Sequence, residues 1–476
     1  MKKVLLIPLL LLSSYLSGCK KEKDYIFKET TIAVFADNQL HSNTPKYTGY
    51  LKNHLKLCKA NNVDVIMIAG DLVNNAMSYQ YTMFEEALKE TYGEDESKYP
   101  EFVYTMGNHE WYSADERQDD NAVFLFNKHA RINTKNLVKR TSSKTATSDS
   151  SIYGNYYKVI NGIPFIGISG ESASGILGYT LRDEIKSWLK EISNLSSVKA
   201  GGPIFVAHHY AFPDVTYSFG QGSTVYSSIL YDLIKEYPQI ILFSGDTHYS
   251  GVNERTINQV DFTDINLGSS SYSRHVSRSV AMDKDSVFEN IQKNSSGKDV
   301  MTGPVANGYD NTPHVHFVKI DERGNTTINR FFSTPDPTAP THLGLEWTIP
   351  VNSNKENFIY TSKRYENKEW ANLMYKKDGL NWDNDSELSF QYSAGNLTLT
   401  FPDVIDYNYC EHYRISVTST DEVTKTYDFI SNYYKYDQTP HLNEFTIENV
   451  GLESIKKVEV HAYDFFDNVS INHLEK

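Results

Sequence analysis

Five groups of side chains that can bind metals or transfer protons follow apolar runs in this 476-residue sequence. They are Asp37 with Gln39, Gly70-Asp71, Gly107-Asn108-His109-Glu110, His208-His209, and Gly245-Asp246-Thr247-His248. Imidazole mixed with carboxylate and amide oxygen suits Mn, Fe or Zn better than Ca or Mg. A pair of divalent ions about 3.5–4 Å apart also needs a bridging carboxylate, and Asp71 suits that position. The pattern therefore predicts a centre for two divalent metal ions.

The apolar runs before these groups have the length and flanks of buried strands. Residues 31–36, 63–69 and 101–106 are the first three such runs. Residues 50–60 and 81–90, which lie between them, have helical spacing. This β-α-β-α-β order predicts a sheet with crossover helices, and such sheets bind ligands at the carboxyl ends of their strands. We therefore expect the five groups to meet at one edge of a sheet.

The order of these motifs over residues 30–332 resembles that of the calcineurin-like metallophosphoesterases. The resemblance implies an α/β fold, a four-layer α/β/β/α sandwich, and hydrolysis of phosphoester bonds by a metal-bridging hydroxide. It also implies two sets of metal ligands. They are Asp37, Gln39, Asp71 and His248 for one ion, and Asp71, Asn108, His208 and Asp246 for the other.

The resemblance further implies a catalytic role for His109, which would protonate the leaving oxygen or clamp the phosphoryl group. Glu110 or another nearby acid would orient its ring. Two ligand positions have alternatives. His209 competes with His208 as the inner ligand, and water or His41 competes with Gln39.

Three positions depart from the family pattern. Gln39 and Asp246 stand where histidines are expected, and Asn74 stands where an aspartate is common. Gln39 and Asp246 can still ligate through oxygen, whereas Asn74 leaves open how His109 is held in its active tautomer. Asp246 also gives the shell a third carboxylate, which makes the site less positive and favours phosphodiesters over dianionic monoesters. The alternative is a non-catalytic or weakly catalytic binding protein on a phosphoesterase scaffold.

The amino-terminal residues predict export and lipid anchoring. Residues 1–18 have a basic head and an apolar run too short to span a bilayer, as in a signal peptide. Leu16-Ser17-Gly18-Cys19 reads as a lipobox, so residues 19–29 would form a tether from a lipidated Cys19. Lys20 favours the outer membrane or the cell surface. The formal net charge of −14 argues against a nucleic-acid binder.

The carboxyl-terminal third has a different pattern. Three prolines lie within residues 333–349 and a fourth, Pro350, follows directly, which predicts that residues 333–349 form a linker. Apolar residues then alternate with polar ones, as in residues 397–401 and 413–417, so residues 350–476 are expected to form a β-sandwich. This accessory domain is a candidate for contact with a surface partner.

Overall fold

The structure is a computed structural model. It describes residues 25–112, 119–131, 136–144, 151–212, 215–216, 225–273, 291–293, 299–301, 313–366, 379–405, 409–433 and 442–476. The expected signal peptide, Cys19 and most of the tether lie outside these ranges. Among the helices that are described, none is both long enough and apolar enough to cross a membrane.

Twenty-two strands are described. In chain order they are β1 Thr30–Phe35, β2 Val65–Ala69, β3 Glu101–Thr105, β4 Leu137–Arg140, β5 Tyr156–Ile160, β6 Ile163–Ile168, β7 Ile204–His208, β8 Ile240–Ser244, β9 Ile257–Gln259, β10 Thr263–Asn266, β11 Ile291–Lys293, β12 Asp299–Met301, β13 His314–Ile320, β14 Thr326–Phe332, β15 Thr341–Ile349, β16 Ser389–Ser393, β17 Asn396–Pro402, β18 Cys410–Ser419, β19 Thr424–Ile430, β20 Leu442–Ile447, β21 Ile455–Asp464 and β22 Leu474–Glu475. The described helices are α1 Pro45–Ala60, α2 Ser78–Tyr92, α3 Asn108–Trp111, α4 Asp119–His129, α5 Tyr179–Ile192, α6 Ser196–Lys199, α7 Val225–Ile234 and α8 Lys363–Glu366.

Two large sheets build the first domain. One has the order β15-β14-β13-β1-β2-β3, and the other has the order β4-β5-β6-β7-β8-β10-β9. Strands β1, β2 and β3 are parallel, as are β6, β7, β8 and β10. Parallel neighbours place their carboxyl ends at the same edge of a sheet, which is where the five motif groups follow.

Buried side chains separate this domain into layers. One core lies between the two sheets, and it receives Val65 and Met67 from β2 together with Phe205 and Ala207 from β7. A second core packs β1 to β3 against α1 and α2, and a third packs β6 to β8 against α5 and α7. Helices therefore cover the outer face of each sheet, and the predicted α/β/β/α sandwich is confirmed.

The carboxyl-terminal region forms the expected all-β unit. Its sheets have the orders β16-β17-β20 and β19-β18-β21-β22. The alternating apolar residues of β17, β18 and β21 meet in one shared core, in which Leu399, Ile415 and Val460 are fully buried. A period of two buries one face of each strand, so the two sheets stack as a sandwich.

The linker prediction for residues 333–349 is wrong over Thr341–Ile349. These residues form β15, which pairs with β14 at the edge of the first sheet. The prolines bound this strand and do not interrupt it, because the last of them before it is Pro340 and Pro350 follows it. Trp347 of β15 is fully buried between the sheets, so the strand is part of the catalytic domain's core.

Candidate metal centre

Loops at the carboxyl edge of the sheets bring the predicted residues together. The backbone N–H of Asp37 donates to the carbonyl of Gly70 at 3.1 Å, and that of Gln39 donates to the carbonyl of Asp71 at 2.9 Å. On the second sheet, the N–H of Gly245 donates to the carbonyl of His209 at 2.9 Å. These bonds fix the loop after each strand against the loop of its neighbour.

Five of the seven candidate ligands share an unusual backbone conformation. Asp37, Gln39, Asp71, Asp246 and His248 have φ angles of 57°, 49°, 54°, 65° and 57°. Residues other than glycine seldom adopt this left-handed region, because the Cβ atom crowds the backbone there. Such strain persists where the surrounding structure imposes it, and it is concentrated at functional sites.

One half of the centre surrounds the imidazole of His209. Its Nε2 lies 3.3 Å from Asp71 Oδ2, 3.7 Å from Asp246 Oδ1 and 3.0 Å from Asn108 Oδ1. Its Nδ1 donates to the carbonyl of Ala69 at 2.8 Å. A carbonyl on one ring nitrogen orients the other toward a metal, which is the usual support of a ligating histidine.

The other half of the centre lies around Asp37. The Nε2 atom of His248 is 3.1 Å from Asp37 Oδ1, and the backbone N–H of Asp246 donates to both carboxylate oxygens of Asp37. Ligand atoms of Asp37, Asp71 and His209 lie within 4.8 Å of one another. Asp71 thus faces both halves, as expected for a bridging ligand.

The preference for His208 over His209 as inner ligand is wrong. Even-numbered residues of β7, such as Val206, face the outer core against the helices, whereas Ala207 faces the core between the sheets. His208 is even-numbered and faces the same way, and its Nδ1 donates a hydrogen bond to the carbonyl of Ile168 at 3.0 Å. His209 is on the inner side and reaches the carboxylates.

Gln39 lies at the centre, but its amide has two neighbours that compete with a metal. Its Nε2 is 3.5 Å from Asp71 Oδ2, and its Oε1 accepts a hydrogen bond from the hydroxyl of Tyr272. The amide's oxygen and nitrogen are assigned from such networks. Rotation of the amide would aim the oxygen at the Asp71 side, and the hydroxyl of Tyr272 would then accept from the nitrogen.

The two glycines beside the centre leave no space for a side chain at their positions. A Cβ atom on Gly107 would lie 2.2 Å from Asp71 Oδ1, and one on Gly245 would lie 2.4 Å from Asp37 Oδ2. The Nδ1 atom of His248 is buried with no hydrogen-bond partner among the described residues. Three carboxylates, of which Asp37 and Asp71 are buried, together with two imidazoles and two amides match the donor set of a two-ion transition-metal site.

Electrostatics at the centre favour bound positive charge. Burial would lower the pKa of His209, but Asp71, Asp37 and Asp246 together raise it well above 6.5. Burial raises the pKa of Asp71, but His209 and His109 outweigh it and lower that pKa to about 2. The carboxylates that hold a proton on His209 would hold a divalent cation in its place.

His109 is positioned by the backbone and not by Glu110. Its Nδ1 lies 2.6 Å from the carbonyl oxygen of Asn74, and its backbone N–H donates to Asp71 Oδ1 at 2.9 Å. A carbonyl acceptor at Nδ1 leaves Nε2 facing the centre, 3.8 Å from Asp71 Oδ2. The side chain at position 74 is therefore not needed to fix the tautomer.

Glu110 is a buried anchor for the loops. Its carboxylate accepts hydrogen bonds from Asp71 N and Gly107 N, both at 2.7 Å, from Val73 N at 3.2 Å and from the hydroxyl of Tyr104 at 2.8 Å. No hydrogen bond joins it to the ring of His109, so the predicted role in orienting that ring is wrong. Glu110 instead fixes the loop of the bridging Asp71.

The geometry agrees with comparison to protein families. Residues 30–250 match the family model described as calcineurin-like phosphoesterase. These residues form a calcineurin-like phosphoesterase domain. The domain is that of a metallophosphoesterase, which hydrolyses phosphoric esters with a dinuclear divalent metal site.

Curated proteins include no match to this chain. Among solved structures, it is similar to a dimetal phosphatase from Danio rerio at 11% identity and a TM-score of 0.36, over 68% of this chain and 99% of that one. It is also similar to GAP50, the anchor in the inner membrane complex of Plasmodium, at 14% identity and a TM-score of 0.38, over 69% of this chain and 92% of that one. A third similar structure is purple acid phosphatase PPD1 from yellow lupin (Lupinus luteus) seeds, at 12% identity and a TM-score of 0.37, over 68% of this chain and 54% of that one.

Of two aromatic residues beside the phosphoesterase centre, sequence reasoning singled out Tyr112, which flanks a motif, and missed Tyr272. The rings of Tyr272 and His248 lie 4.5 Å apart, and the ring of Tyr112 lies 5.4 Å from that of His109. Tyr112 is 51% exposed. Tyr272 carries no motif signal, because it follows a run of serines far from every other site residue in sequence.

Proposed function

We propose that the phosphoesterase domain hydrolyses phosphodiesters in preference to phosphomonoesters. The observation that carries this proposal is the third carboxylate, Asp246, which stands beside Asp71 and Asp37 where the family pattern has a histidine. Three carboxylates offset more of the charge of two divalent ions than two do. The attraction for a dianionic monoester falls more than that for a monoanionic diester, since Coulomb energy scales with charge.

The residues of the centre have separable tasks in this proposal. Asp37, Gln39, Asp71 and His248 would hold one ion, and Asp71, Asn108, His209 and Asp246 would hold the other. Two divalent ions held by these residues would supply Lewis-acid polarisation of the phosphoryl oxygens and would lower the pKa of the attacking water. His109 donates a proton from Nε2 to the leaving oxygen, while the Asn74 carbonyl keeps Nδ1 protonated.

The test compares matched aryl mono- and diesters across pH in the wild type and in Asp246→His. Removing one negative charge should raise kcat/KM for the monoester relative to the diester by about tenfold or more, and should lower the pH optimum. Asp246→Asn is the control for charge without an imidazole, and it should move the ratio in the same direction. A wild-type preference for the monoester, or an unchanged ratio in both variants, would contradict the proposal.

A non-catalytic binding role is the second candidate, and the substitutions at positions 39, 74 and 246 are its support. It predicts tight binding of a phosphoester with no turnover after metal loading. Every candidate ligand position still holds an oxygen or nitrogen donor, so we favour the enzyme. Turnover that is lost in His109→Ala would exclude the binding role.

We also propose that the protein is exported and anchored to the outer membrane or the cell surface through lipidated Cys19. Support comes from the residues of the lipobox and from Lys20 after it. The β-sandwich would then hold the phosphoesterase domain away from the lipid or meet a surface partner. Labelling of wild-type cells with a fatty-acid probe should mark the protein, and Cys19→Ala should abolish the mark. Labelling that persists in Cys19→Ala would reject the anchor.

A further inference from the structure

A ladder of aromatic rings runs outward from the metal centre. It consists of His248, Tyr272, Tyr47 and Tyr50. The ring centroids of successive members lie 4.5, 5.8 and 6.3 Å apart. The three tyrosine rings are close to parallel, with interplanar angles of 24° and 30°. This spacing is in the range of offset stacking, in which each ring covers only part of its neighbour's face and leaves the rest open to a further ring.

The ladder is built from two segments that are distant in sequence. Tyr47 and Tyr50 are in the first turns of α1, and Tyr272 follows β10. The buried amide of Asn38 links the two segments, because its Nδ2 lies 3.4 Å from the carbonyl of Tyr47 and 3.2 Å from Ser271 Oγ. Asn38 itself lies between the candidate ligands Asp37 and Gln39. The ladder is therefore held in register with the metal centre.

The ladder's tyrosines differ from core aromatics in their exposure. Tyr47, Tyr50 and Tyr272 are all partly exposed, whereas Tyr249, next to the ligand His248, is 1% exposed. The Nζ atom of Lys46 lies 5.4 Å from the centre of the Tyr47 ring, so the outer part of the ladder carries a positive charge. A partly exposed π surface beside a cation suits a planar ring attached to an anionic ester.

We propose that this ladder binds a planar aromatic ring on the organic group of the ester substrate. The inference rests on the proposed function, and it names the class of substrate. Tyr272 is one ring from His248, so an aryl group bonded directly to the phosphoester oxygen would stack there. A nucleobase is separated from its phosphate by a ribose and would reach further, to Tyr47.

Three diesters with the same 4-nitrophenolate leaving group test the proposal. Their retained groups are thymidine, 4-nitrophenyl and methyl. For the thymidine diester, kcat/KM relative to the methyl ester should fall about tenfold in Tyr47→Ala, the usual effect of removing one stacking ring. For the aryl diester, the same ratio should fall by a similar factor in Tyr272→Ala. A fall with thymidine alone identifies a nucleobase, and a fall with the aryl diester alone identifies an aryl group. Tyr47→Phe keeps the ring and should keep the ratio.

Tyr179→Ala is the matched control, because Tyr179 is 84% exposed and lies outside the ladder. Its ratios should equal those of the wild type. Unchanged ratios in folded Tyr47→Ala and Tyr272→Ala would overturn the ladder while leaving the phosphodiesterase intact.

Equilibrium binding separates the ladder from the proposed function. If the wild type hydrolyses none of the three esters, the proposed function fails and binding of thymidine 5′-phosphate decides about the ladder. Wild-type protein should bind it more tightly than ribose 5-phosphate, and Tyr47→Ala should lose that preference. Equal binding of the two compounds by the wild type would reject the ladder independently of turnover.

Discussion

Replacing Glu110 by Gln should destabilise the loops that carry Asp71, with no direct effect on proton transfer. The buried carboxylate has two donors on each oxygen. Oε2 accepts from Asp71 N and Gly107 N, whereas Oε1 accepts from Val73 N and the hydroxyl of Tyr104. A glutamine has the same shape but has only one oxygen acceptor.

The size of the effect follows from the donors that lose a partner. If the amide oxygen takes the place of Oε2, the amide nitrogen can donate to the hydroxyl of Tyr104, which turns to accept. Val73 N then has no acceptor at this side chain. A buried donor left unsatisfied costs about 1–3 kcal/mol, so Glu110→Gln should lower the free energy of unfolding by that amount. Glu110→Ala removes the acceptor of three backbone N–H groups, so it should lower the free energy of unfolding by at least twice as much.

Denaturant unfolding and metal titration measure both consequences. Glu110→Gln should lose stability and bind metal more weakly, because the loop of Asp71 is fixed by this carboxylate. Glu184→Gln is the control. Glu184 accepts from the backbone and hydroxyl of Ser142 away from the centre, so its loss should leave metal affinity unchanged. Full stability and full metal content in Glu110→Gln, with turnover reduced a hundredfold, would refute the anchoring role and restore a chemical one.

Three further predictions concern single residues. His109→Ala should keep its metal and lose roughly 10²–10⁴ in kcat, and loss of metal instead would make His109 a ligand. Burial raises the pKa of Asp264 from 3.8 to about 8, so the folded state keeps a proton that the unfolded state loses. The free energy of unfolding should therefore fall by up to about 1.4 kcal/mol per pH unit as pH rises from 4 to 8. Asp264→Asn should remove that slope in thermal melts, and a slope kept by the variant would contradict the assignment. Glu411→Gln should cost roughly 2–3 kcal/mol, because this sandwich carboxylate pairs with the nearly buried Arg255 of the catalytic domain, while Glu422→Gln in an exposed pair should cost under about 1 kcal/mol.

Local sequence patterns predicted the strands that carry the centre because those strands are buried on both faces. The apolar run at 63–69 contains the observed strand Val65–Ala69, and the run at 101–106 contains Glu101–Thr105. Continuous apolar residues bounded by glycine and polar groups are typical of such strands. The candidate ligands at their ends were predicted for the same reason, since Asp71 and Asn108 follow within three residues.

The same burial explains why the choice between His208 and His209 was wrong. A strand with apolar residues on both faces does not reveal which face packs between the sheets. Only the packed sheets show whether the odd- or the even-numbered residues of β7 face the metal centre. Glu110 was misassigned because adjacency to His109 in sequence does not reveal which donors surround a buried carboxylate. The Tyr47–Tyr272 contact joins residues far apart in sequence, which no local pattern records.

Metal content tests the central claim most directly. Purified protein reconstituted with Mn or Zn should contain two ions per chain by elemental analysis. Asp71→Asn should contain fewer than one, because the anion between the two cations is lost. One ion or none in the wild type, or two in Asp71→Asn, would contradict a dinuclear centre bridged by Asp71.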